Sequence, residues 1–410
     1  MNEAPGPWPY RRLGDLVEIL DSRRIPVSAS ERAARPGVVP YYGATGRVGT
    51  IDQSLFNEPL LLLGEDGVQF FDPSKPKAYR ISGPSWVNNH AHVLRARTAA
   101  DQTFLEHYLN HFDYRGYANG TTRLKLTQVA MRSIPVPVPA LEEQRRIVAI
   151  LEEHLTSLDV AELSLESTEN RLSALETSWL HRWLNAINME PQRLGSVLTD
   201  MRGGWSRSAR HLVAASDGVP YIKMNNITSR GSLDLSGLVF VADTGCDSWE
   251  KYGVRHGDVL FNSKNSSELV GKTALADTSV DGALLNENIM RLRFDQAVDP
   301  AFAWTWFQGP AMKAAIAEAT RASTGVAAIY QHRLTEMPIV IPDIEVQREV
   351  AGGFLEVRDS VDRLTAVIAG IRSRNRTLRR SLLAAAFSGR LTGRASDSDV
   401  IDTIADQEAS

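Results

Sequence analysis

The amino-acid sequence predicts two mixed α/β (α+β) domains in tandem, each followed by a long helix, with the two helices paired as an antiparallel coiled coil. Three observations predict this fold class: an internal repeat, one change of composition in each half, and a heptad stripe in both helical segments. At 410 residues, 43% of them hydrophobic, the chain can build two or more domains with cores of their own. Its single cysteine, Cys246, excludes an internal disulfide framework and a cysteine-rich zinc module.

Short motifs recur in the same order in the two halves of the chain. Arg12-Leu13-Gly14 returns as Arg193-Leu194-Gly195, and Val39-Pro40-Tyr41 returns as Val219-Pro220-Tyr221. The other matched pairs are Asn88 with Asn286, Phe104 with Phe302, Pro135 with Pro338, Pro139 with Pro342, and Gln144 with Gln347. The distance between partners grows along the chain, as expected if loops were lengthened between shared elements. The sequence is therefore a tandem duplication with a pseudo-two-fold repeat.

Within each half the composition changes once. Residues 10–134 mix short β-branched and aromatic runs with Gly, Pro, Asn and Ser, which is typical of a mixed α/β domain. The proline-rich run 134–139 cannot be helical and predicts an extended connector. The glycines then vanish until Gly195, which predicts a long helix. The predicted segments are a first domain at 1–139, a first helical arm at 140–190, a second domain at 191–342, a second helical arm at 343–394 and a disordered acidic tail at 395–410.

Both arms carry an apolar residue at alternating spacings of three and four, which is the pattern of a coiled-coil seam. The predicted seam consists of Ile147, Leu151, Leu158, Leu165, Leu172 and Leu175 in the first arm, and of Val350, Phe354, Val357, Val361, Leu364, Ile368, Ile371, Asn375, Leu378 and Leu382 in the second. The lone polar member, Asn375, is of the kind that fixes register at some cost in stability.

The charges of the two arms favour pairing within one chain. Residues 136–190 hold ten acidic and four basic residues, whereas residues 339–394 hold ten basic and six acidic ones. Opposite arms attract and like copies repel. An approximate two-fold relation between the halves would make the pair antiparallel, with one domain at each end. The arginine-rich stretch 372–380 has two alternative interpretations, a solvated helix face or a phosphate contact.

Motifs that resemble catalytic or ligand sites are incomplete. The segment 266–273 lacks the first glycine of a phosphate-binding loop, and His107 and His111 have zinc spacing without a third ligand. Asp343 and Glu345 lack the lysine of a nuclease motif and are predicted to complement a helix dipole. No Asn/Asp-Pro-Pro-aromatic tetrad and no Gly-x-Ser-x-Gly run is present in the sequence. The sequence therefore predicts neither catalytic residues nor a metal site.

Two motifs mark the first connector and the end of the second arm: Ile134-Pro-Val-Pro-Val-Pro-Ala-Leu-Glu-Glu143-Gln144-Arg-Arg-Ile147-Val and Leu378-Arg-Arg-Ser-Leu-Leu-Ala-Ala-Ala-Phe387-Ser-Gly389-Arg-Leu391. These motifs resemble the conserved regions of specificity subunits of type I restriction-modification enzymes. The resemblance covers the organisation of the full chain. The second junction departs from the family pattern, because Val346 stands where the family usually has Glu before Gln347.

The resemblance implies a non-catalytic subunit that reads double-stranded DNA. Each domain would be a target-recognition domain for one half of a split, asymmetric sequence, and the arms would hold the two domains apart as a ruler. The arms would also dock two methyltransferase subunits, joined by restriction-translocase subunits in the full complex. S-adenosylmethionine, ATP and magnesium would belong to those partners, and no cofactor to this chain.

Three alternatives remain open at this point. The chain could serve a type IIB-like enzyme whose partner fuses nuclease and methyltransferase, act as a self-contained nuclease or methyltransferase, or be a coiled-coil scaffold without a DNA role. The net charge of −4 argues against a protein that coats nucleic acid by bulk charge. The start of the chain lacks a secretory pattern, and no apolar run approaches the about 20 residues of a membrane span. A cytoplasmic protein without membrane contact is therefore predicted.

Polar and basic residues in irregular loops are the candidates for contact with DNA. In the first domain these are Tyr42, Lys75, Lys77, Asn119, Thr121, Thr122, Arg123 and Lys125; in the second they are Arg207, Arg210, Lys223, Asn225, Asn226, Lys264, Asn265, Lys272, Arg321 and Ser323. Asn88 and Asn286 are matched framework positions and are predicted to be structural instead.

Overall fold

The described chain falls into two compact units. In the computed structural model, residues 7–98, 100–207, 211–242, 251–320 and 326–392 are described. Unit 1 combines Met1–Glu166 with Ile368–Ser410, and unit 2 is Ser167–Val367. Each unit therefore holds one mixed domain together with a part of both long helices. The linear segment boundaries stay a prediction, and the predicted tail at 395–410 lies outside the described residues.

Unit 1 contains two four-stranded sheets. Its strands are β1 (Tyr10–Arg12), β2 (Val17–Ile19), β3 (Val39–Gly43), β4 (Gly46–Ile51), β5 (Phe56–Asn57), β6 (Leu60–Gly64), β7 (Ala78–Ile81), β8 (Pro84–Val87), β9 (Ala91–Ala96), β10 (Ala118–Asn119), β11 (Lys125–Leu126) and β12 (Pro135–Pro137). Its helices are α1 (Leu13–Leu16), α2 (Ala29–Ala33), α3 (Gln102–His111), α4 (Gln128–Arg132) and the first part of α5 (Leu141–Ala186). The sheet orders are β2-β9-β6-β7 and β4-β3-β8-β5, with β3 and β8 parallel.

Unit 2 repeats this plan. Its strands are β13 (Gln192–Arg193), β14 (Leu198–Gly203), β15 (Leu212–Val213), β16 (Gly218–Ile222), β17 (Val239–Ala242), β18 (Val259–Asn262), β19 (Lys264–Ser266), β20 (Thr273–Leu275), β21 (Leu284–Leu285), β22 (Ile289–Phe294), β23 (Val326–Ala328) and β24 (Pro338–Ile339). Its helices are α6 (Pro300–Gln308), α7 (Pro310–Thr320), α8 (Gln331–Thr335) and the first part of α9 (Ile344–Ser388). The sheet orders are β14-β22-β18-β20 and β15-β17-β16-β21, with β16 and β21 parallel. The predicted duplication is confirmed.

The repeated Arg-Leu-Gly motif has the same structural role in both units. Leu13 and Leu194 have no exposed side-chain surface, and each donates its main-chain amide to a carbonyl just before the proline connector at 2.8 Å. Gly14 and Gly195 lie against α4 and α8, where a Cβ would come within 3.1 Å and 2.8 Å of a neighbouring side chain. The glycine is therefore required by a close approach of the backbone to the helix.

The repeated glutamine joins three elements at the start of each long helix. Gln144 accepts a hydrogen bond from the Asp101 amide at 2.8 Å and donates to the last proline of its connector at 3.0 Å. Gln347 makes the same bonds to the Asp299 amide and to its own connector, each at 2.8 Å. Since Asp101 and Asp299 cap α3 and α6, the glutamine fixes domain, connector and arm together.

The core of each domain continues into the long helices. In unit 1, Ile147 of α5 and Phe387 of α9 are buried with the residues of α3, and the rings of Phe104 and Phe387 meet edge-on with centroids 5.4 Å apart. In unit 2, Phe354 of α9 is buried with Phe302 of α6. Each domain is therefore held on the arms by hydrophobic burial.

The two arms run antiparallel in both units, as predicted. In unit 1, Asp159 of α5 pairs with Arg379 of α9, and Glu162 pairs with Arg372. The numbers rise on one helix as they fall on the other, and the acidic arm meets the basic one. Within the described part of the chain, no helix is both long and apolar enough to cross a membrane.

The pairing in unit 2 is ionic and aromatic. Glu176 of α5 pairs with Arg358 of α9, whose guanidinium is buried and lies 5.1 Å from the centre of the Trp304 ring. The Trp179 ring lies on Phe354, with centroids 5.9 Å apart.

The seam prediction was wrong for three residues. Leu175, Leu364 and Ile371 are exposed, at 54%, 50% and 39%. The residue after two of them takes the inward position instead, because Glu176 and Arg372 find opposite charges on the facing helix. The remaining predicted members of the seam are buried or half-buried.

Candidate nucleic-acid interface

Polar candidates collect at one edge of each domain, on a framework of main-chain hydrogen bonds. We define the first loop cluster as residues 42–47, 64–67, 88–92 and 118–126. Here the Asn88 amide donates to the Tyr42 carbonyl at 3.0 Å, and the Glu65 amide donates to the His90 carbonyl at 2.8 Å. The Leu126 amide donates to the Glu65 carbonyl at 2.8 Å.

Unit 2 builds the same framework at the second loop cluster, residues 222–227, 262–265, 286–290 and 326–329. The Asn286 amide donates to the Ile222 carbonyl at 2.9 Å, and the Ser263 amide donates to the Asn288 carbonyl at 2.8 Å. The Ile329 amide donates to the Ser263 carbonyl at 2.8 Å. Because all six bonds involve only main-chain groups, they constrain the loops without dictating their side chains.

Asn88 and Asn286 close the same turn in both clusters. The side-chain oxygen of Asn88 accepts the amide of His90 at 2.9 Å, and that of Asn286 accepts the amide of Asn288 at 3.0 Å. These are local side-chain bonds to the residue two positions on, which stabilise a turn. The geometry agrees with the structural role predicted for this pair.

The first loop cluster brings five predicted candidates onto one hairpin. Asn119 and Lys125 face each other across β10 and β11, and Thr121, Thr122 and Arg123 lie in the connecting turn. All five are exposed. A short, exposed hairpin with hydroxyl, amide and basic side chains offers donors for phosphate oxygens and for base edges.

Acidic residues hold the base of this hairpin. The guanidinium of Arg123 pairs with Asp66 at 2.6 Å, and the ammonium group of Lys125 pairs with Glu65 at 3.1 Å. The two cationic side chains nevertheless stay 59% and 52% exposed. They are therefore positioned by ion pairs while most of their surface faces solvent.

The other first-domain candidates do not join the hairpin. Tyr42 belongs to the cluster and is half-buried beside Tyr79, with ring centroids 6.1 Å apart. Lys75 is exposed but lines a groove beside α3 and α5. Lys77 is 2% exposed, and its ammonium group donates to the Asp72 carbonyl. The prediction for Lys77 was therefore wrong, because this lysine caps a turn inside its own domain.

In unit 2, four predicted candidates line the second loop cluster. Lys264 and Asn265 lie on β19, which pairs with β23, while Lys223 and Asn225 lie in the turn after β16. Asn225 is exposed and the other three are half-buried. Arg210, Arg321 and Ser323 lie outside the described residues.

The prediction of DNA contact was wrong for two candidates in unit 2. The ammonium group of Lys272 donates to the carbonyls of Met224 and Ile227, and burial lowers its pKa. The side chain of Asn226 is 1% exposed, and its oxygen accepts the Lys223 amide at 2.9 Å. Both side chains hold the 223–227 turn. The ammonium group of Lys272 therefore binds main-chain carbonyls of its own domain and not a DNA phosphate.

Arg207 belongs to an aromatic stack that sequence reasoning missed. Its guanidinium carbon lies 3.4 Å from the centre of the Trp205 ring, and Trp205 stacks on Tyr252 with centroids 5.7 Å apart. The Tyr221 hydroxyl donates to the Trp205 carbonyl at 2.7 Å, which attaches the stack to β16.

Sequence reasoning also missed Arg47 in the first loop cluster. Arg47 is exposed and follows Gly46, the first residue of β4, which has a φ of +137° directly after the turn from β3. The Thr45-Gly46 pair between two strand-like runs is a hairpin signal that could have identified this exposed arginine.

One group of potential metal ligands comes together among the described residues. Asp21, Glu65 and His92 bring their ligand atoms within 4.8 Å of one another. Arg24 lies 2.8 Å from Glu65 and 3.5 Å from Asp21, and Lys125 lies on the other oxygen of Glu65. Positive side chains therefore neutralise both carboxylates, and the group is an ion network that reaches the hairpin.

Comparison with protein families finds a match over most of the chain. The family model described as the type I restriction modification DNA specificity domain matches residues 5–166 and 187–370. The two matches correspond to the two copies of the repeat.

Relatives and solved structures agree with this match. A Haemophilus influenzae protein assigned to the type I restriction enzyme specificity subunits is 25% identical over 278 residues, 65% of this chain and 68% of that protein. The specificity subunit of the EcoKI type I restriction enzyme of Escherichia coli is 23% identical over 332 residues, 75% of this chain and 70% of that protein. A chain from a solved structure of a type I restriction-modification system has the same fold, with a TM-score of 0.70 and 17% identity, and the match covers 95% of this chain and 100% of that one.

Proposed function

This chain belongs to the family of type I restriction-modification DNA specificity proteins, and we propose that it is the subunit that reads the DNA target. Each of its two domains reads one half of a split, asymmetric sequence, through its own loop cluster. The chain itself is non-catalytic and carries no cofactor. S-adenosylmethionine, ATP and magnesium are bound by its partner subunits.

One observation carries this proposal: the two loop clusters share a main-chain framework and differ in side chains. The first presents Glu65 and Asp66 beneath a basic hairpin, whereas the second presents Ser263 and Lys264 at the equivalent positions. Sequence is read by side chains at base edges. Two equal frameworks with unequal side chains suit a protein that recognises two different half-sites.

The arms supply a surface for partner subunits. Val160 and Leu163 on α5 are 61% and 65% exposed in unit 1, and Val367 on α9 is 58% exposed in unit 2. Large apolar side chains exposed on a helix are typical of interaction surfaces. We therefore assign to the arms the docking of two methyltransferase subunits, with restriction subunits joining the full complex.

The test is the pattern of DNA methylation. Co-expression with its methyltransferase should yield a complex that methylates adenines in one bipartite motif, mapped by single-molecule sequencing. The same host without this gene is the control, and it should lose that motif alone. A purified chain that binds no methyltransferase, and whose loss leaves the methylation pattern unchanged, would contradict the proposal.

The ruler function of the arms has a separate test. Inserting four residues into both arms at matched positions adds about one helical turn, or about 6 Å. The unspecified gap between the half-sites should lengthen, since one base pair spans about 3.4 Å. A matched control replaces four residues without changing the length. An intact complex that methylates the original gap would exclude the ruler.

A further inference from the structure

A buried histidine connects the ion network to the hairpin of the first loop cluster. His92 is 1% exposed. Its Nδ1 lies 2.6 Å from a carboxylate oxygen of Asp21, and its Nε2 lies 2.9 Å from the main-chain carbonyl of Leu126. Because Leu126 ends β11, the histidine touches the strand that carries the exposed Lys125.

Both ring nitrogens of His92 face acceptors. A main-chain carbonyl cannot donate, so Nε2 carries a hydrogen. Burial acts to raise the pKa of Asp21, but the hydrogen bond and charge of His92, with the amide of Val93 and the charge of Arg24, outweigh it and lower that pKa. Asp21 is therefore ionised and lies on Nδ1, while the hydrogen on Nε2 is directed at the Leu126 carbonyl.

Charged groups surround the His92 ring. Glu65 lies 3.8 Å from Nδ1, and Arg24 pairs with both carboxylates. Lys125 reaches Glu65 from the hairpin, and the side-chain amide of Gln128 donates to Asp21 at 3.1 Å. The ring therefore lies beside two carboxylates that are paired with two cations, one of them exposed on the hairpin.

We propose that His92 is a positioning residue for DNA recognition: its Nε2 hydrogen bond holds the Leu126 carbonyl and so fixes the 119–125 hairpin against unit 1. This inference rests on the proposed function, since it takes the hairpin to be a DNA-contacting loop. The hairpin is also held by the ion pairs of Arg123 and Lys125 and by the bond from the Leu126 amide to the Glu65 carbonyl. His92 adds a bond to the carbonyl of Leu126, so that both main-chain groups of that residue are fixed.

The second domain lacks this device and serves as an internal control. Met290 stands two residues after Asn288, as His92 stands two residues after His90, and it cannot donate to a carbonyl. The recognition of the second half-site is therefore expected to be independent of a hydrogen-bond donor at position 290.

The experiment uses the complete complex with its methyltransferase and compares wild type, His92→Met and His92→Gln. The methionine copies the second domain, and the glutamine retains one neutral donor. Hydrogen exchange over 118–126 should rise in His92→Met, while exchange in unit 2 stays unchanged. In His92→Met, discrimination against single-base changes should fall roughly tenfold in one half-site only. The discrimination of His92→Gln should lie between that of His92→Met and that of wild type.

Tyr41→Phe is the matched control, because it removes one buried hydrogen bond, from the Tyr41 hydroxyl to the Val27 carbonyl, away from the hairpin. It should leave both half-sites unaffected. Equal exchange and equal discrimination in wild type and His92→Met would overturn the proposal, as would an equal loss in both half-sites. A wild-type complex without bipartite methylation would defeat the proposed function instead, while the exchange measurement would still test the anchor.

Nitrogen NMR of His92 in the complex supplies the spectroscopic test. The Nε2 nitrogen should show the shift of a ring nitrogen that carries a hydrogen. A shift typical of a bare Nε2 nitrogen would overturn the proposal.

Discussion

The two loop clusters have the same backbone and opposite electrostatics. In unit 1, Glu65 and Asp66 bind Lys125 and Arg123 from below, so the hairpin is tied by ion pairs. In unit 2, Ser263 and Lys264 replace the acids, and β19 instead pairs with β23 through main-chain bonds. The difference shows how a duplicated domain changes its recognition surface: main-chain bonds keep the loops in place, while the side chains are free to vary.

A second contrast lies where each domain meets the arms. Unit 1 uses the aromatic ring of Phe387 against α3. Unit 2 uses Arg358, which lies over Trp304 and pairs with Glu176. Truncating a buried ring leaves a cavity, whereas removing one partner of a buried ion pair leaves an uncompensated charge. The two attachments should therefore respond differently to substitution.

The largest expected effect is that of Phe387→Ala. This substitution leaves a cavity among Phe104, Tyr108 and His111 and should lower the free energy of unfolding of unit 1 by about 3–5 kcal/mol. Denaturant unfolding with hydrogen exchange resolved by unit measures this. Hydrogen exchange in residues 191–340 should not change. An equal loss of stability in both units would contradict the contrast between the two attachments.

Glu176→Gln should have a smaller effect, confined to unit 2. It leaves Arg358, which is 6% exposed, without a charged partner, and should cost about 1–3 kcal/mol. Asp159→Asn in unit 1 is the control, because Asp159 is 65% exposed and its pair should contribute less than about 1 kcal/mol. Thermal unfolding compares the two, and similar losses would remove the distinction between a buried and an exposed pair.

Asp66→Lys makes the first cluster resemble the second. It removes the partner of Arg123 and adds a like charge, so the hairpin loses an ion pair of about 1 kcal/mol or less. Phosphate contacts should become stronger and base discrimination weaker in one half-site. Binding measured as a function of salt should show a steeper dependence, with Asp66→Asn as the control for loss of the pair alone. An unchanged salt dependence would contradict this role for the charge.

Acid should weaken unit 1 before unit 2. Burial acts to raise the pKa of Glu65, but bonds to Arg24 and Lys125 and the charge of His92 lower it overall, and the pKa of Asp21 is also lowered. Folded-state pKa values below the unfolded ones stabilise the fold above about pH 4, and this stability is lost as the pH falls further. Thermal unfolding measured between about pH 5 and about pH 3 should show that unit 1 loses stability at a higher pH than unit 2. The double substitution Asp21→Asn with Glu65→Gln should abolish this difference.

Local patterns in the sequence predicted most of the fold. The prolines of the connector cannot be helical, and they form β12 and β24. The repeat of apolar residues predicted α5 and α9, because one helical face must be buried. The seam prediction was wrong for Leu175, Leu364 and Ile371. For Leu175 and Ile371 the reason is that charges on the facing helix are not visible in one helix alone.

The candidate site was harder to predict, because contacts between distant residues decide which side chains are free. Lys272 is held by carbonyls 48 and 45 residues away. The partners of His92 are 71 and 34 residues away, so nothing local marked it. The candidates at 119–125 were identified as polar and basic residues of an irregular loop, whereas the hairpin that joins them was not predicted.

The sequence by itself determined the duplication, the connectors and the paired arms, because these depend on residue order and spacing along a short stretch of chain. Only the tertiary structure decided which polar side chains face solvent and which are consumed inside a domain, as Lys77 and Asn226 are. The physical reason is that a hydrogen-bond partner is chosen by proximity in space, and burial makes an unpartnered polar group costly. The recognition surface that we propose therefore consists of side chains that the fold leaves exposed and at most partly paired.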